Sequence, residues 1–281
     1  MPISVKDLTY TYNPGTPFET RALDGISLTI NDGEFVGIIG HTGSGKSTFI
    51  QHLNALIKPT SGQVLVDGED INESKEKAAL RMRVGLVFQY PEYQLFEETV
   101  LKDVSFGPKN MGLSEEEATQ SAKWALEKVG LGERYYGRSP FELSGGQTRR
   151  CAVAGVLAMH PEVLILDEPA AGLDPVGRRE ILDIIRAIHS EGTTVIMVSH
   201  SMDDVARLCE RVIVLEKGKV ALDGSCAEVF GQVEKLSAMG LTLPQAALLR
   251  DRLNKRGFDL PESIYTIEAL SQALTEKLKT R

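Results

Sequence analysis

The 281-residue sequence lacks any apolar run of the roughly 18 residues that a membrane-spanning helix needs; Cys151 to Met159 is about half as long. Its three cysteines, Cys151, Cys209 and Cys226, show neither paired spacing nor a CxxC motif, which predicts buried thiols in a reducing compartment. The first ten residues contain no basic segment followed by an apolar stretch, so we expect no secretory signal. These absences favour a cytoplasmic location and argue against a channel formed by this chain.

Positive charge is also scarce, since the formal net charge is −8 at pH 7. Broad binding to nucleic-acid phosphates depends on clustered Lys and Arg, so we expect no nucleic-acid partner. The length and the 42% of hydrophobic residues suit one large domain with a small appendage.

The order of hydrophobic patterns indicates an α/β fold. Short β-branched runs separated by turn motifs fill the first 66 residues, and beyond residue 160 buried strands alternate with helical patterns. That alternation predicts a mostly parallel sheet with helices on both faces. Between these regions, residues 114–129 predict an amphipathic helix with Ser114 and Glu117 as a capping box. The predicted domains are residues 1–231, with a helical subdomain at about 90–160, and a helical tail at 232–281.

A glycine-rich phosphate loop of the form GxxxxGK[ST] follows the apolar strand at residues 35–39 and precedes a helical pattern. Glycines allow backbone N–H groups to converge on phosphate oxygens. Lys46 would reach the β- and γ-phosphates of a nucleotide, and the Ser47 hydroxyl would hold Mg²⁺. Taken alone, the motif leaves a chance Gly-rich turn as the alternative. The candidate residues of the loop are Gly40, Thr42, Gly43, Ser44, Gly45, Lys46, Ser47 and Thr48.

Two adjacent carboxylates, Asp167 and Glu168, end the apolar strand that begins at Val163. Asp167 suits the coordination of Mg²⁺, and Glu168 suits positioning and polarising an attacking water. Without the phosphate loop, the start of a solvated loop or a helix cap would be the better interpretation of this pair.

Residues 143–147 read LSGGQ and precede another helical pattern. This motif resembles the signature of the ABC ATPase family, which in that family reaches across a dimer interface to the nucleotide held by the partner's phosphate loop. A serine and two glycines at a helix start suit an anion-binding N-terminus, whereas simple capping explains the serine but not the glycine pair. The resemblance implies nucleotide contacts by Ser144, Gly145, Gly146 and Gln147.

Four further positions match motifs of the same family. Gln89 matches the Q-loop glutamine, which ligates Mg²⁺ and senses the γ-phosphate, and His200 matches the switch histidine, which donates to that phosphate. Asp174 lies in a segment that resembles the D-loop between the two sites of the dimer. Tyr12 matches the aromatic residue that stacks on adenine, with Tyr10 and an ordinary strand tyrosine as the alternatives. The implied catalytic residues are Glu168, His200, Lys46 and Gln89, and the implied Mg²⁺ ligands are Ser47, Gln89 and Asp167.

The resemblance covers about residues 3–230 and implies the ABC ATPase fold. That fold combines a phosphate-loop NTPase core and mostly parallel sheet with an N-terminal antiparallel β-subdomain and a helical subdomain; here a small C-terminal helical domain follows. The segment FQYPEYQLF, which begins at Phe88, is similar to the energy-coupling factor branch of the family, and to the second of its two paired ATPases.

Membership of that branch would imply an ATPase, using ATP and Mg²⁺, that powers uptake of a vitamin or metal ion. Its partners would be a second ATPase chain, favouring a heterodimer, a transmembrane coupling subunit and a substrate-binding membrane subunit. It would work at the cytoplasmic face of the membrane. Tyr90, Tyr93 and Phe96 are expected to form a docking site for a helix of the membrane partner; inward packing of Leu95 and Phe96 is the alternative.

Other functions remain as alternatives to an importer of this branch: the ATPase of another ABC importer class, or a soluble ABC ATPase. A DNA-repair type is disfavoured because no heptad stretch separates Ser47 from Ser144, and a GTPase because NKxD is absent. The sequence departs from the family at Ala170, where threonine is usual, and at Thr148, and we expect these departures to alter rate rather than abolish activity.

Overall fold

The computed structural model describes residues 1–74 and 77–279. Its strands are β1 (Ile3–Tyr12), β2 (Thr20–Ile30), β3 (Phe35–Ile39), β4 (Ser61–Val66), β5 (Glu69–Asp70), β6 (Val84–Val87), β7 (Val163–Asp167), β8 (Thr194–Val198), β9 (Arg211–Glu216) and β10 (Lys219–Ser225). Its helices are α1 (Lys46–Leu53), α2 (Lys77–Arg83), α3 (Val100–Asn110), α4 (Glu115–Lys128), α5 (Gly145–Leu157), α6 (Pro175–Ser190), α7 (Met202–Leu208), α8 (Cys226–Gly231), α9 (Val233–Ala238), α10 (Gln245–Asn254) and α11 (Ile267–Lys279). Short 3₁₀ helices occupy Pro91–Gln94, Glu133–Tyr135 and Pro140–Glu142.

These strands form two sheets. An antiparallel sheet of four strands has the order β2-β1-β4-β5, and a sheet of six has the order β10-β9-β3-β8-β7-β6. All pairs in the larger sheet are parallel except β9 with β10. The predicted α/β class, with a mostly parallel sheet and an antiparallel N-terminal sheet, is confirmed.

The larger sheet separates two hydrophobic cores, because side chains alternate between faces along a strand. In β7, Val163 and Ile165 pack into the core shared with α1 and the smaller sheet. Leu164 and Leu166 pack into the opposite core, beneath α3 to α6. The next residue, Asp167, thus faces the α1 side.

The helical region confirms the predicted cap of α4. The backbone N–H of Ser114 donates to Glu117 Oε2 at 2.9 Å, and the N–H of Glu117 donates to Ser114 Oγ at 3.3 Å. Together the two bonds satisfy orphan donors of the first helical turn. The apolar face of α4, which includes Ala122 and Leu126, packs into the core beside α3 and α5.

The predicted tail divides its packing between two cores. Leu236, Leu241 and Leu243 lie in the core of the main domain. Helices α10 and α11 instead enclose a small core of their own, formed by Ala246, Leu260, Ile264 and Leu270. The predicted tail ended at Arg281, but residues 280 and 281 lie outside the described residues. Within 1–74 and 77–279, no helix combines the length and apolarity needed to span a membrane.

Candidate functional site

The carboxyl ends of parallel strands meet at one edge of the larger sheet, where open α/β sheets bind their ligands. A cleft of ≈ 310 Å³ lies at this edge, beside α1. Residues predicted from four separate motifs meet there: the phosphate loop, the glutamine after β6, the acidic pair after β7 and the histidine after β8. The lining residues are Thr42, Gly43, Gly45, Lys46, Ser47, Thr48, Gln89, Asp167, Glu168, Val198 and His200.

The phosphate loop is a tight backbone turn, and the Lys46 side chain bonds back to its carbonyl groups. Gly45 has φ 102°, and a Cβ atom there would lie 2.6 Å from the carbonyl oxygen of Ala22, so the turn requires glycine. Lys46 Nζ donates to the carbonyl oxygens of Gly40 and His41 at 2.7 and 2.8 Å. Burial lowers the pKa of Lys46, opposed by the charges of Glu168 and Asp167. The ammonium group is thereby held over the concave side of the loop.

Ser47 and Asp167 join the first turn of α1 to the end of β7. Ser47 Oγ donates to Asp167 Oδ2 at 3.1 Å. Burial raises the pKa of Asp167, and the hydrogen bond from Ser47 opposes that rise. Gln89 lines the same cleft, so residues with hydroxyl, carboxylate and amide groups meet there. Mg²⁺ prefers such oxygen ligands and commonly takes its remaining ones from phosphate and water, so the residues present fit this ion.

Glu168 and His200 also line the cleft and contact each other. The backbone N–H of His200 donates to Glu168 Oε2 at 3.3 Å, and His200 Nε2 lies 3.1 Å from Glu168 Oε1. Burial raises the pKa of Glu168 to about 7, with a further contribution from the negative charge of Asp167. Burial lowers the pKa of His200, as does the charge of Lys46. A carboxyl group with this pKa is suited to accept a proton from water near neutral pH.

Tyr12 lies next to the cleft rather than among the residues that line it. Its hydroxyl group is 3.1 Å from Thr48 Oγ1, and its side chain is exposed. Tyr10, the alternative, packs against the core with its ring 4.9 Å from that of His52. The geometry therefore favours Tyr12 over Tyr10 as the ring available to a base.

The LSGGQ segment does not line the cleft of its own chain. Ser144 and Gly145 are exposed at the start of α5. Gln147 is turned back on the protein: its carboxamide oxygen accepts from the N–H of Ser144 at 3.0 Å, and its nitrogen donates to Tyr135 Oη at 3.2 Å. In this structure the Gln147 amide therefore caps α5, and its contact with the nucleotide of a partner chain stays a prediction.

Asp174 is likewise outside the cleft. Its carboxylate accepts from the N–H of Gly177 at 2.8 Å and caps α6. The N-termini of α5 and α6 are close, because a Cβ atom on Gly146 would lie 4.0 Å from Gly177 Cα. The signature and Asp174 thus share one exposed edge, separate from the cleft.

Comparison with known proteins gives a consistent result. The ABC transporter family model matches residues 23–171. The chain belongs to this family. It is 56% identical to the energy-coupling factor transporter ATP-binding protein EcfA2 of Clostridium perfringens, over 99% of both chains. It therefore falls in the energy-coupling factor branch, with the second of the paired ATPases, as the sequence predicted.

Solved structures of ABC proteins share the fold. The cbiO1 protein of Clostridium perfringens, described as part of the ABC transporter complex cbiONQ, is 41% identical with a TM-score of 0.74, covering 89% of this chain and 98% of its own. The ATP-binding cassette MJ0796, solved as a dimer in a post-hydrolysis state with ADP and Pi, is 31% identical with a TM-score of 0.69. That comparison covers 80% of this chain and 98% of MJ0796. Like other ABC ATPases, this chain is an ATP-hydrolysing enzyme that uses Mg²⁺.

The segment that resembles the energy-coupling factor branch, residues 88–96, has exposed aromatic side chains. Tyr90, Tyr93 and Phe96 are 53%, 85% and 58% exposed, whereas Leu95 is buried. Of the two residues considered for inward packing, only Leu95 takes that position; Phe96 instead makes an edge-to-face contact with Phe106, with ring centroids 4.9 Å apart.

One residue beside the cleft, Arg149, was not predicted from the sequence. Arg149, in the helix after the signature, is almost fully buried and donates to the carbonyl oxygens of Glu168 and Pro169. A signal for it exists: Arg149, Val153 and Leu157 repeat at a spacing of four, so the arginine falls in line with the apolar face of α5.

Proposed function

We propose that this chain hydrolyses ATP as one of two ATPase subunits in an energy-coupling factor importer, with each ATP held between two chains. The observation that carries the proposal is the separation of two phosphate-binding elements on one chain. The cleft is lined by phosphate-loop residues, Gln89, the acidic pair and His200, whereas the exposed helix tip at Ser144 is not among the residues that line it. A helix N-terminus with exposed N–H groups binds anions, so the tip is suited to the ATP of a neighbouring chain.

Within the cleft each residue has a distinct role. Lys46 binds the terminal phosphates once it leaves the carbonyl oxygens it now contacts, and the glycines leave the loop N–H groups free to do the same. Ser47, Asp167 and Gln89 would hold Mg²⁺, which neutralises charge on the phosphates. Glu168 orients the attacking water and accepts its proton, and His200 donates to the γ-phosphate. Most of the catalysis is positioning and charge neutralisation.

The names of related proteins support the partners that we propose for this chain. EcfA2 is a transporter ATP-binding protein, cbiO1 is part of a transporter complex, and MJ0796 is a dimer. We therefore propose three partners for this chain: a second ATPase subunit, a transmembrane coupling subunit and a substrate-binding membrane subunit. The chain would work with them at the cytoplasmic face of the membrane. The exposed rings of Tyr90, Tyr93 and Phe96 provide an apolar surface for a helix of the coupling subunit.

Purification of the complex through a tag on this chain tests the proposal. After extraction from membranes, native mass measurement should find two ATPase chains together with membrane subunits, and the preparation should hydrolyse ATP. The same complex with Lys46→Ala should assemble but lose nearly all hydrolysis. A tagged chain recovered without membrane subunits, or an active Lys46→Ala complex, would contradict it.

A further inference from the structure

The catalytic glutamate sits in an unusual backbone conformation that other segments must hold in place. Glu168 has φ 53°, in the left-handed region that non-glycine residues seldom adopt. Its N–H donates to the carbonyl oxygen of Val198 at 3.0 Å, which ties the turn to β8. Its own carbonyl oxygen accepts from the N–H of Ala171 at 3.1 Å. The direction of the Glu168 side chain therefore depends on this turn.

Arg149 holds the same turn from the other side. Its Nη1 donates to the carbonyl oxygens of Glu168 and Pro169 at 3.3 and 3.2 Å. The side chain is only 4% exposed, so its charge is buried against these two carbonyls. Buried hydrogen bonds to a charged donor are stronger than neutral ones, and their loss would leave the Glu168 carbonyl bonded to the Ala171 N–H alone.

The other end of this guanidinium contacts the 3₁₀ helix Pro91–Gln94. Arg149 Nη2 lies 3.4 Å from both carboxylate oxygens of Glu92. Tyr93, which follows Glu92 in that helix, is exposed. Tyr90, which precedes the helix, is exposed as well. One buried side chain thus connects the surface segment 90–96 with the backbone of the catalytic residue.

The contact between Arg149 and Glu92 leaves one polar atom of each side chain without a hydrogen bond. Arg149 Nε and Glu92 Oε2 are both buried and have no hydrogen-bond partner among the described residues. The two atoms are complementary, since one donates and the other accepts. A small movement of the 91–94 helix towards α5 would allow a two-pronged pair, the preferred geometry of arginine with a carboxylate.

We infer that Arg149 is a positioning residue that sets the Glu168 turn and makes hydrolysis responsive to the position of the 91–94 helix. Arg149 is not among the residues that line the cleft, so it acts through Glu168. The inference rests on the proposed function, because it requires Glu168 to act on the attacking water and the 90–96 segment to face the membrane partner.

Arg149→Lys tests it in the assembled complex. A lysine ammonium is a single point and cannot reach both carbonyls and Glu92 together. We expect kcat to fall about 10- to 100-fold, the scale of a misplaced reacting group, while KM for ATP stays within about twofold. The matched control is Arg150→Lys on the same helix, whose guanidinium contacts the carbonyl of Val129 and Glu180 instead. That variant should keep kcat within about twofold of wild type.

A double-mutant cycle with Glu168→Gln separates positioning from general damage. If Arg149 acts only through Glu168, Arg149→Lys should cause little further loss of single-turnover rate in the Glu168→Gln background. Equal losses in both backgrounds, an unchanged kcat, or a rise in KM matching the fall in kcat would each overturn the inference.

Glu92→Gln provides a second variant should Arg149→Lys fail to fold. It removes the charge that attracts the guanidinium and leaves both carbonyl contacts in place. We expect kcat to fall about threefold without a change in KM; an unchanged kcat would overturn the connection to the 91–94 helix. An inactive wild-type complex would instead count against the proposed function itself.

Discussion

Tyr12 Oη lies 3.1 Å from Thr48 Oγ1, so the last residue of β1 is fastened to the first turn of the helix that follows the phosphate loop. The Tyr12 ring also packs edge-to-face on Tyr10, with ring centroids 4.8 Å apart. These two contacts hold the exposed Tyr12 side chain beside the helix that follows the phosphate loop.

Replacing Tyr12 with alanine should weaken ATP binding more than it slows chemistry. Stacking of a base on an aromatic side chain is worth about 1–3 kcal/mol, so we expect KM for ATP to rise about 5- to 150-fold with kcat within about threefold. Steady-state hydrolysis over a range of ATP concentrations checks this. Tyr12→Phe keeps the ring and should shift KM by less than about fivefold. If Tyr12→Ala had a wild-type KM while Tyr10→Ala raised it, Tyr10 would be the stacking residue.

Replacing Glu168 with glutamine should abolish proton acceptance while leaving the cleft intact. Glutamine can still accept the N–H of His200 through its amide oxygen, so the fold around it should persist. We expect hydrolysis to fall by a factor of about 10²–10⁴, as for the loss of a positioned general base, with ATP binding retained. Equilibrium binding of ATP and single-turnover hydrolysis, measured on the same preparation, test this prediction. Normal hydrolysis by this variant would remove Glu168 from its role.

Asp103 should make the protein less stable at neutral pH than at acid pH. Its carboxylate is buried and accepts the N–H groups of Phe96 and Glu97 at 2.8 and 2.9 Å, both on Oδ2. Burial raises its pKa above the ordinary 3.8. The folded state therefore binds the proton more tightly than the unfolded state, and this contribution to stability is lost as pH rises through the raised pKa.

Asp103→Asn isolates that effect, because asparagine keeps an acceptor oxygen without the charge. Relative to wild type, the variant should gain stability between about pH 4 and pH 7, measured as the difference in unfolding midpoint at each pH. Asp103→Ala, which leaves two N–H groups without their acceptor, should lose about 1–3 kcal/mol at either pH. A constant difference between wild type and Asp103→Asn across the range would refute the raised pKa.

Sequence reasoning succeeded where the chemistry lies in a contiguous motif. The phosphate loop and the acidic pair carry their spacing in the chain, and parallel strands bring their ends together, so the cleft with Gln89 and His200 could be expected. The α4 cap was also predictable, since Ser114 and Glu117 are three residues apart. The expectation that the signature acts on another chain rests on the family resemblance and not on the residue pattern.

What could not be predicted depends on contacts between distant segments. Arg149 contacts Glu92, 57 residues away, and the backbone of Glu168, 19 residues away. The sequence predicted a helical tail at 232–281 but did not predict that Leu236 and Leu241 pack into the core of the main domain. The hydrogen bond from the Gln147 amide to Tyr135 could not be predicted either, because only the fold places these two side chains together.

The sharing of one ATP between two chains is the central claim, and light scattering on the hydrolysis-blocked Glu168→Gln protein measures it most directly. With ATP and Mg²⁺, and in the presence of its candidate paired ATPase, we expect a single species with the mass of two ATPase chains. A species that keeps the mass of one chain under these conditions, alone and in the mixture, would contradict the account.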